Sequence, residues 1–283
     1  MTSYLSPYIQ ESALIDSKYT DNYILTIQYT LGGLSFTIFD NIDHRYICLK
    51  HYTISDKDVS LNTLLAELQE RESWQLEGFY QVNLVLDDSR NTLIPAEYHN
   101  EQIAKQYLEA LQFPSSNIGT DNIGSSICNI YSVDDEITEI AKAINKNLCL
   151  RHASTIFLNT LIREFSERTA ETRAFVNVKN NCYELAVLEN DKIIFHNYFN
   201  FNTKEDFLYF ILFTFEQLKI DNETTPLYFM GFIENNSSII NLCSRYIRNI
   251  RFINKNNNLK FANELNTIPY YYYYTLYNSV SCE

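Results

Sequence analysis

Few residues in this chain combine a reactive type with a useful spacing. Asp87 and Asp88 follow the apolar run Val82-Asn83-Leu84-Val85-Leu86, and α/β proteins collect site residues at the C-terminal ends of strands. The pair also opens Asp88-Ser89-Arg90-Asn91, where Asp and Asn favour a turn through bonds to their own backbone. The turn is the simpler account. Lys179, in the polar break Lys179-Asn180-Asn181, could attract an anion, though a lone lysine in a turn is expected to be solvated. His44, His51, His99, His152 and His196 are isolated. No two stand at i, i+4, so no zinc site is expected. Cys48, Cys128, Cys149, Cys182, Cys243 and Cys282 are scattered without a C-x-x-C, which suits small buried hydrophobes with reduced thiols in a cytoplasm. The P-loop, nucleophile-elbow and H-E-x-x-H patterns are absent.

Composition narrows the classes further. A length of 283 residues suits two domains, and 46% hydrophobic with 20% charged residues suits a sizeable core. Six Gly and five Pro argue against long flexible linkers. A formal charge of −13 repels phosphate backbones, so nucleic acid is not an expected partner. Residues 1–21 lack a basic start followed by an apolar stretch, so no signal peptide is expected. The most apolar window, Phe207 to Phe215, is far shorter than the ~20 residues that span a bilayer, so no membrane insertion is expected either.

The elements that would position these residues recur. Ile24 to Thr30, Leu31-Gly32-Gly33 and Leu34 to Asn41 read as strand, tight turn, strand. A third strand, Tyr46 to Ile54, precedes a helix with apolar residues at Leu61, Leu64, Leu65 and Leu68, and then the strand Val82 to Leu86. Half a chain later the order returns: Phe175 to Val178, the turn at Lys179, Tyr183 to Asn190, Ile193 to Phe201, a helix capped by Thr203, and Leu227 to Gly231. The match is one of pattern and order, and it reads as an internal duplication. The first half adds a strand at Thr92-Leu93-Ile94, a helix near 100–111, a strand near 125–131 and a helix at 134–145. The second adds a helix near 237–248 and a strand at 250–254. A helix over 153–167 lies between, which divides the chain into residues 1–150 and 151–283.

Strand-turn-strand-strand-helix-strand, used twice, resembles the actin, Hsp70 and sugar-kinase superfamily. Leu185 to Phe195 resembles its pilus-assembly and secretion-platform branch. Gln28, Gly33-Leu34-Ser35-Phe36 and Cys282-Glu283 also resemble an uncharacterised bacterial family of unknown function with this fold. The resemblance implies an α/β, duplicated RNase H-like (actin-like ATPase) fold: two mixed β-sheets flanked by helices, with an interdomain cleft. In that superfamily the two hairpin turns cradle ATP phosphates, and an acid ending each first strand organises hydrated magnesium. Here those acid positions fall on Gln28 and Asn177, both neutral amides. The turn glycines fall on Thr30 and Lys179, and the polar residue after the first turn on Ser35. Gly32 and Gly33 remain, as does Gly231 of the adenosine-contacting turn, with Phe232 after it. Asn180 completes the second turn. Glu184 could serve as the acid if that turn were shifted, and Glu97 sits where some members carry a catalytic polar residue.

An amide can bond a metal-bound water but cannot offset a divalent charge. The expectation is therefore a degenerate nucleotide site without catalytic residues or metal ligands, in a protein-interaction or scaffold module. The alternatives are a nucleotide-binding protein or weak ATPase using the cleft, or an active phosphotransferase with unusual ligands. ATP and magnesium are disfavoured as cofactors. The expected partner is a protein of unspecified identity, and homo-oligomerisation stays open. The tyrosine run Tyr270 to Tyr274 after Pro269 reads as a helix laid against the body, or as an aromatic patch for a partner.

Overall fold

A computed structural model describes residues 3–13, 15, 17–30, 32–56, 58–113, 116–144, 148–165, 171–256 and 258–280. Leu31, Cys282 and Glu283, which figured in the sequence reading, lie outside them. By internal contacts the chain forms two units. Residues 3–156, 258–267 and 275–280 group in the first, and 157–256 with 268–274 in the second.

The first unit is built on β1 (Leu5–Ser12), β2 (Tyr23–Thr30), β3 (Gly33–Asp40), β4 (Arg45–Ile54), α1 (Leu61–Glu72) and β5 (Gln81–Leu86). It continues with β6 (Asn91–Pro95), α2 (Glu101–Ala110), β7 (Asn117–Ile123), β8 (Ile127–Val133), α3 (Asp135–Ala143) and β9 (Leu148–His152). Its main sheet runs β1-β4-β3-β2-β5-β9. Strands β2, β3 and β4 pair antiparallel; β5 and β9 continue parallel to β2. Alternation explains the hairpin, and so does the glycine at its turn: a Cβ on Gly33 would meet the Tyr52 carbonyl at 3.0 Å. Helix α1 starts where Ser60 accepts the Thr63 N–H and ends at Ser73 with φ 57°. Its buried stripe is Leu61, Leu64, Leu65 and Leu68. Each is worth about 2 kcal/mol of burial, enough to fix the helix over the sheet core of Leu25, Ile27, Phe36 and Leu84.

A separate small sheet, β6-β8-β7, stands between β5 and β9 in chain order. The expected strands and helices there are present, but β7 was not anticipated: Asn117–Ile123 is polar enough to read as a loop. Nor were β1 and β9, whose partners lie far off in sequence.

The second unit begins within α4 (Ala153–Phe165), at residue 157. It contains β10 (Thr172–Val178), β11 (Cys182–Glu189), β12 (Lys192–Asn200), α5 (Lys204–Gln217), β13 (Pro226–Gly231), α6 (Ser238–Cys243) and β14 (Asn249–Phe252). The sheet order is β12-β11-β10-β13-β14, three antiparallel strands followed by two parallel ones, which repeats the order and sense of β4-β3-β2-β5-β9. Thr203 and Asp206 form a reciprocal capping box at the start of α5. Phe207, Ile211 and Phe215 then pack on Val176, Leu185 and Phe229.

The short strand β15 (Lys260–Phe261) pairs with β4, and the last described element is α7 (Tyr274–Asn278). The tyrosine run is largely packing. In the second unit Phe232 meets Tyr273 at 5.4 Å, and Tyr271 meets Phe252 at 4.9 Å. In the first, Tyr277 packs edge-on to Tyr46 and Phe261, and the Tyr46 hydroxyl donates to the Tyr277 carbonyl. No helix among the described residues is long and apolar enough to cross a membrane.

Candidate functional site

In the first unit the hairpin of β2 and β3 is closed by a side chain. Thr30 Oγ1 donates to the Gly33 carbonyl at 3.0 Å and accepts the Gly32 N–H at 3.3 Å. Next to the turn, Gln28, Ser35 and His51 are cross-strand neighbours on β2, β3 and β4. Ser35 Oγ lies 2.7 Å from His51 Nδ1. Burial pushes the His51 pKa down to about 4, so the ring is neutral at pH 7.

Gln28 does not stand alone. Its Nε2 donates to Asp87 Oδ2 at 2.6 Å, and Asp87 is buried at the end of β5, the parallel neighbour of β2. Nothing in the sequence spacing links this carboxylate to Gln28, since the two stand 59 residues apart. The next residue, Asp88, accepts from Arg90 through the backbone and guanidinium, as a turn requires. It is also half of an ion pair. Burial pushes its carboxyl up, but His152, 3.9 Å away, and Arg90 outweigh that and hold it below the usual carboxylate range. Arg90 also grips Asp134 with two bonds of 2.8 and 2.9 Å, which ties the start of α3 to this turn.

In the second unit Asn177 and Glu184 face each other across β10 and β11. Asn177 Nδ2 donates to Glu184 Oε2 at 3.1 Å, and Lys179 Nζ lies 3.1 Å from the same oxygen. His196 Nε2 is 3.3 Å from Oε1. Glu184 is fully buried. Lys179 corrects the sequence expectation of a solvated turn lysine: its side chain is 14% exposed, bonds the Tyr198 hydroxyl at 3.1 Å and lies 4.5 Å from that ring's centroid. A buried carboxylate stabilises an ammonium at this distance far more than water would permit between exposed groups. Asn180, in the turn, is exposed.

Gly231 ends β13 with φ +85°, and a Cβ there would lie 2.0 Å from the Val178 carbonyl. Phe232 N–H donates to that same carbonyl at 2.8 Å, so the glycine lets the turn after β13 close onto the end of β10. Glu97 is exposed in a short 3₁₀ turn after β6. Among the described residues no group of three or more His, Cys, Asp and Glu side chains could hold a metal ion.

Each unit thus places a carboxamide near the end of its first central strand, bonded to a buried carboxylate from a neighbouring strand. The signal for Glu184 was present in the sequence: a single charged residue in the apolar strand Tyr183 to Leu188 must find partners once buried.

The strand order and the two glycine or polar turns define an actin-like ATPase fold. A protein of that fold and unknown function from Bacteroides thetaiotaomicron VPI-5482 superposes with a TM-score of 0.74 at 20% identity, over 87% of this chain and 97% of the other. The chain belongs to the protein family of unknown function DUF3822, whose model matches residues 13–250. A chain of the PilM–PilN type IV pilus biogenesis complex is also similar, with a TM-score of 0.58, 11% identity, and 90% and 97% of the two chains covered. The cytoplasmic domain of EpsL from the Vibrio cholerae type II secretion system is more distant, with a TM-score of 0.45, 10% identity, and 83% and 90% covered. No curated protein matches the chain.

Proposed function

We propose that this protein is a non-hydrolysing member of the actin-like ATPase fold that works as a protein-binding scaffold module. The observation that carries the reading is Glu184. It is the buried carboxylate beside the second acid position, and the Lys179 ammonium already neutralises it at 3.1 Å. A hydrated divalent ion needs uncompensated negative charge, because phosphoryl transfer is mostly positioning and electrostatic stabilisation. An ammonium fixed at that oxygen repels the ion instead. In the first unit the acid position is the neutral Gln28, whose amide donates to the neighbouring carboxylate of Asp87.

A partner-binding role is supported by the fold shared with a component of the PilM–PilN complex. The matching strand orders support one ancestral unit used twice. Five free cysteines among the described residues suit a reducing cytoplasm.

The test is titration calorimetry with Mg·ATP and Mg·ADP, together with thermal unfolding at millimolar nucleotide. No binding heat and no shift in Tm are expected, since a ligand that bound the native state would stabilise it. Saturable micromolar binding, or magnesium-dependent phosphate release, overturns the proposal.

A further inference from the structure

The second unit carries an aromatic strip that runs from its core, where Phe195, Phe199 and Phe210 pack, out to an exposed end. On α5, Tyr209 and Phe213 are 59% and 45% exposed and stack on each other, 6.0 Å apart with planes 20° from parallel. The strip continues inward. Tyr209 meets Phe210 at 5.3 Å, Phe210 stacks on Phe199 at 5.0 Å, and Phe199 stacks on Phe195 at 6.4 Å. Phe195 and Phe199 belong to β12, the edge strand of its sheet, and Ile194, left out of the register there, is 43% exposed. The strip's exposed part is Tyr209, Phe213 and Ile194; exposed apolar side chains that adjoin one another mark interaction surfaces, whereas scattered ones need no explanation.

Charge decides the partner. Glu205, Tyr209, Phe213 and Glu216 share one side of α5 by their spacing, so the apolar centre is flanked by an acid at each end. Both acids are exposed, and no basic residue stands in the helix's last turn. Lys204 approaches Glu205 only to 3.9 Å, a surface pair of little weight. A second copy docked on this face, in either direction, would set acid against acid on a chain of net charge −13. We infer that this face of α5 docks a cationic amphipathic helix of another protein, apolar along one stripe and bearing Lys or Arg at both ends of it. From Glu205 to Glu216 the face spans roughly 16 Å at 1.5 Å per residue, about three turns of such a helix. The inference goes beyond the proposed lack of hydrolysis and does not depend on it.

The probe is a labelled 14-residue peptide of Leu and Lys, with Leu at helical spacing. Its control has the same composition with the apolar face scrambled. Fluorescence anisotropy is measured at physiological salt on the full chain. The patterned peptide is expected to bind at least roughly tenfold more tightly than the scrambled one. Tyr209→Ala with Phe213→Ala should erase that difference, while Tyr98→Ala, an equally exposed tyrosine of the first unit, should leave it intact. If the double variant loses its fold, Glu216→Lys keeps the test open, because it should weaken the patterned peptide about threefold and lower the salt dependence. Equal binding of both peptides overturns the inference, as does a difference that survives in the double variant. Sedimentation showing a dimer that Phe213→Ala abolishes also overturns it and assigns the face to a second copy.

Discussion

The electrostatic reading of Glu184 can be tested through stability. Glu184→Gln preserves shape and the contact with Asn177 but removes the charge. Lys179 is then left with an ammonium only 14% exposed, partnered by the ring and hydroxyl of Tyr198. Removing one member of a buried ion pair costs about 3–5 kcal/mol. The surviving cation–π contact retains about 1 kcal/mol, so a loss of about 3 kcal/mol is expected. Lys179→Met should cost a similar amount by stranding the carboxylate. The double variant should cost much less than the sum, because neither charge is then left alone, and a coupling of at least about 2 kcal/mol follows. Urea unfolding followed by far-ultraviolet circular dichroism reads the losses. The single tryptophan, Trp74, lies in the first unit's core, so its fluorescence serves as an internal control that should move less. Hydrogen exchange at the amides of β10 and β11 localises the effect. If Glu184→Gln changes stability by less than about 1 kcal/mol, Glu184 is not an ionised, internally compensated carboxylate, and the case against a divalent ion at this position collapses.

Two further outcomes follow from the same geometry. Gly231→Ala must fit a Cβ 2.0 Å from the Val178 carbonyl at φ +85°, so the β10–β13 contact has to open; a loss of more than about 3 kcal/mol is expected in urea unfolding. For His51, burial lowers the folded pKa from 6.5 to about 4. The unfolded chain then binds more protons between those values, so stability is complete above pH 6.5 and falls as pH drops toward 4. About 2 kcal/mol should be lost between pH 7.5 and pH 5, and comparing unfolding midpoints should show His51→Gln removing that share of the slope.

Local signals made much of this fold legible. Strand alternation around Gly33 and around Lys179 gave both hairpins, Ser60 and Thr203 marked helix starts, and the leucine stripe of α1 gave its buried face. What escaped was non-local. Strand β1 contains Pro7, carries a register shift beside it, and pairs with β4 some forty residues away. Strand β9 has five residues and is held by β5. Neither has a pattern that distinguishes it from loop without its partner. The site divides in the same way. Gln28 and Asn177 could be placed by counting from the hairpin turns. Asp87 reaches Gln28 only because β5 lies parallel to β2, which is a fact of sheet order rather than of spacing. Lys179 read as solvated because a turn lysine usually is, and only the buried charge across the hairpin makes it otherwise.

The pairing of amide with carboxylate also sets what an acid at either position would meet. Asn177→Asp would bring a second carboxylate within about 3 Å of Glu184 Oε2, where the amide nitrogen now stands. Two carboxylates so close cannot both ionise, and Lys179 supplies one positive charge for what would become two negatives. Gln28→Glu would meet Asp87 in the same way across the present 2.6 Å contact. An acid at either position would therefore force one carboxyl of the pair to keep a proton at neutral pH. The amides are fixed by what surrounds them. Each half sets an amide against a buried carboxylate, and the two do so with different partners: a carboxylate just past the parallel neighbour in the first, and one from the antiparallel neighbour plus a lysine in the second.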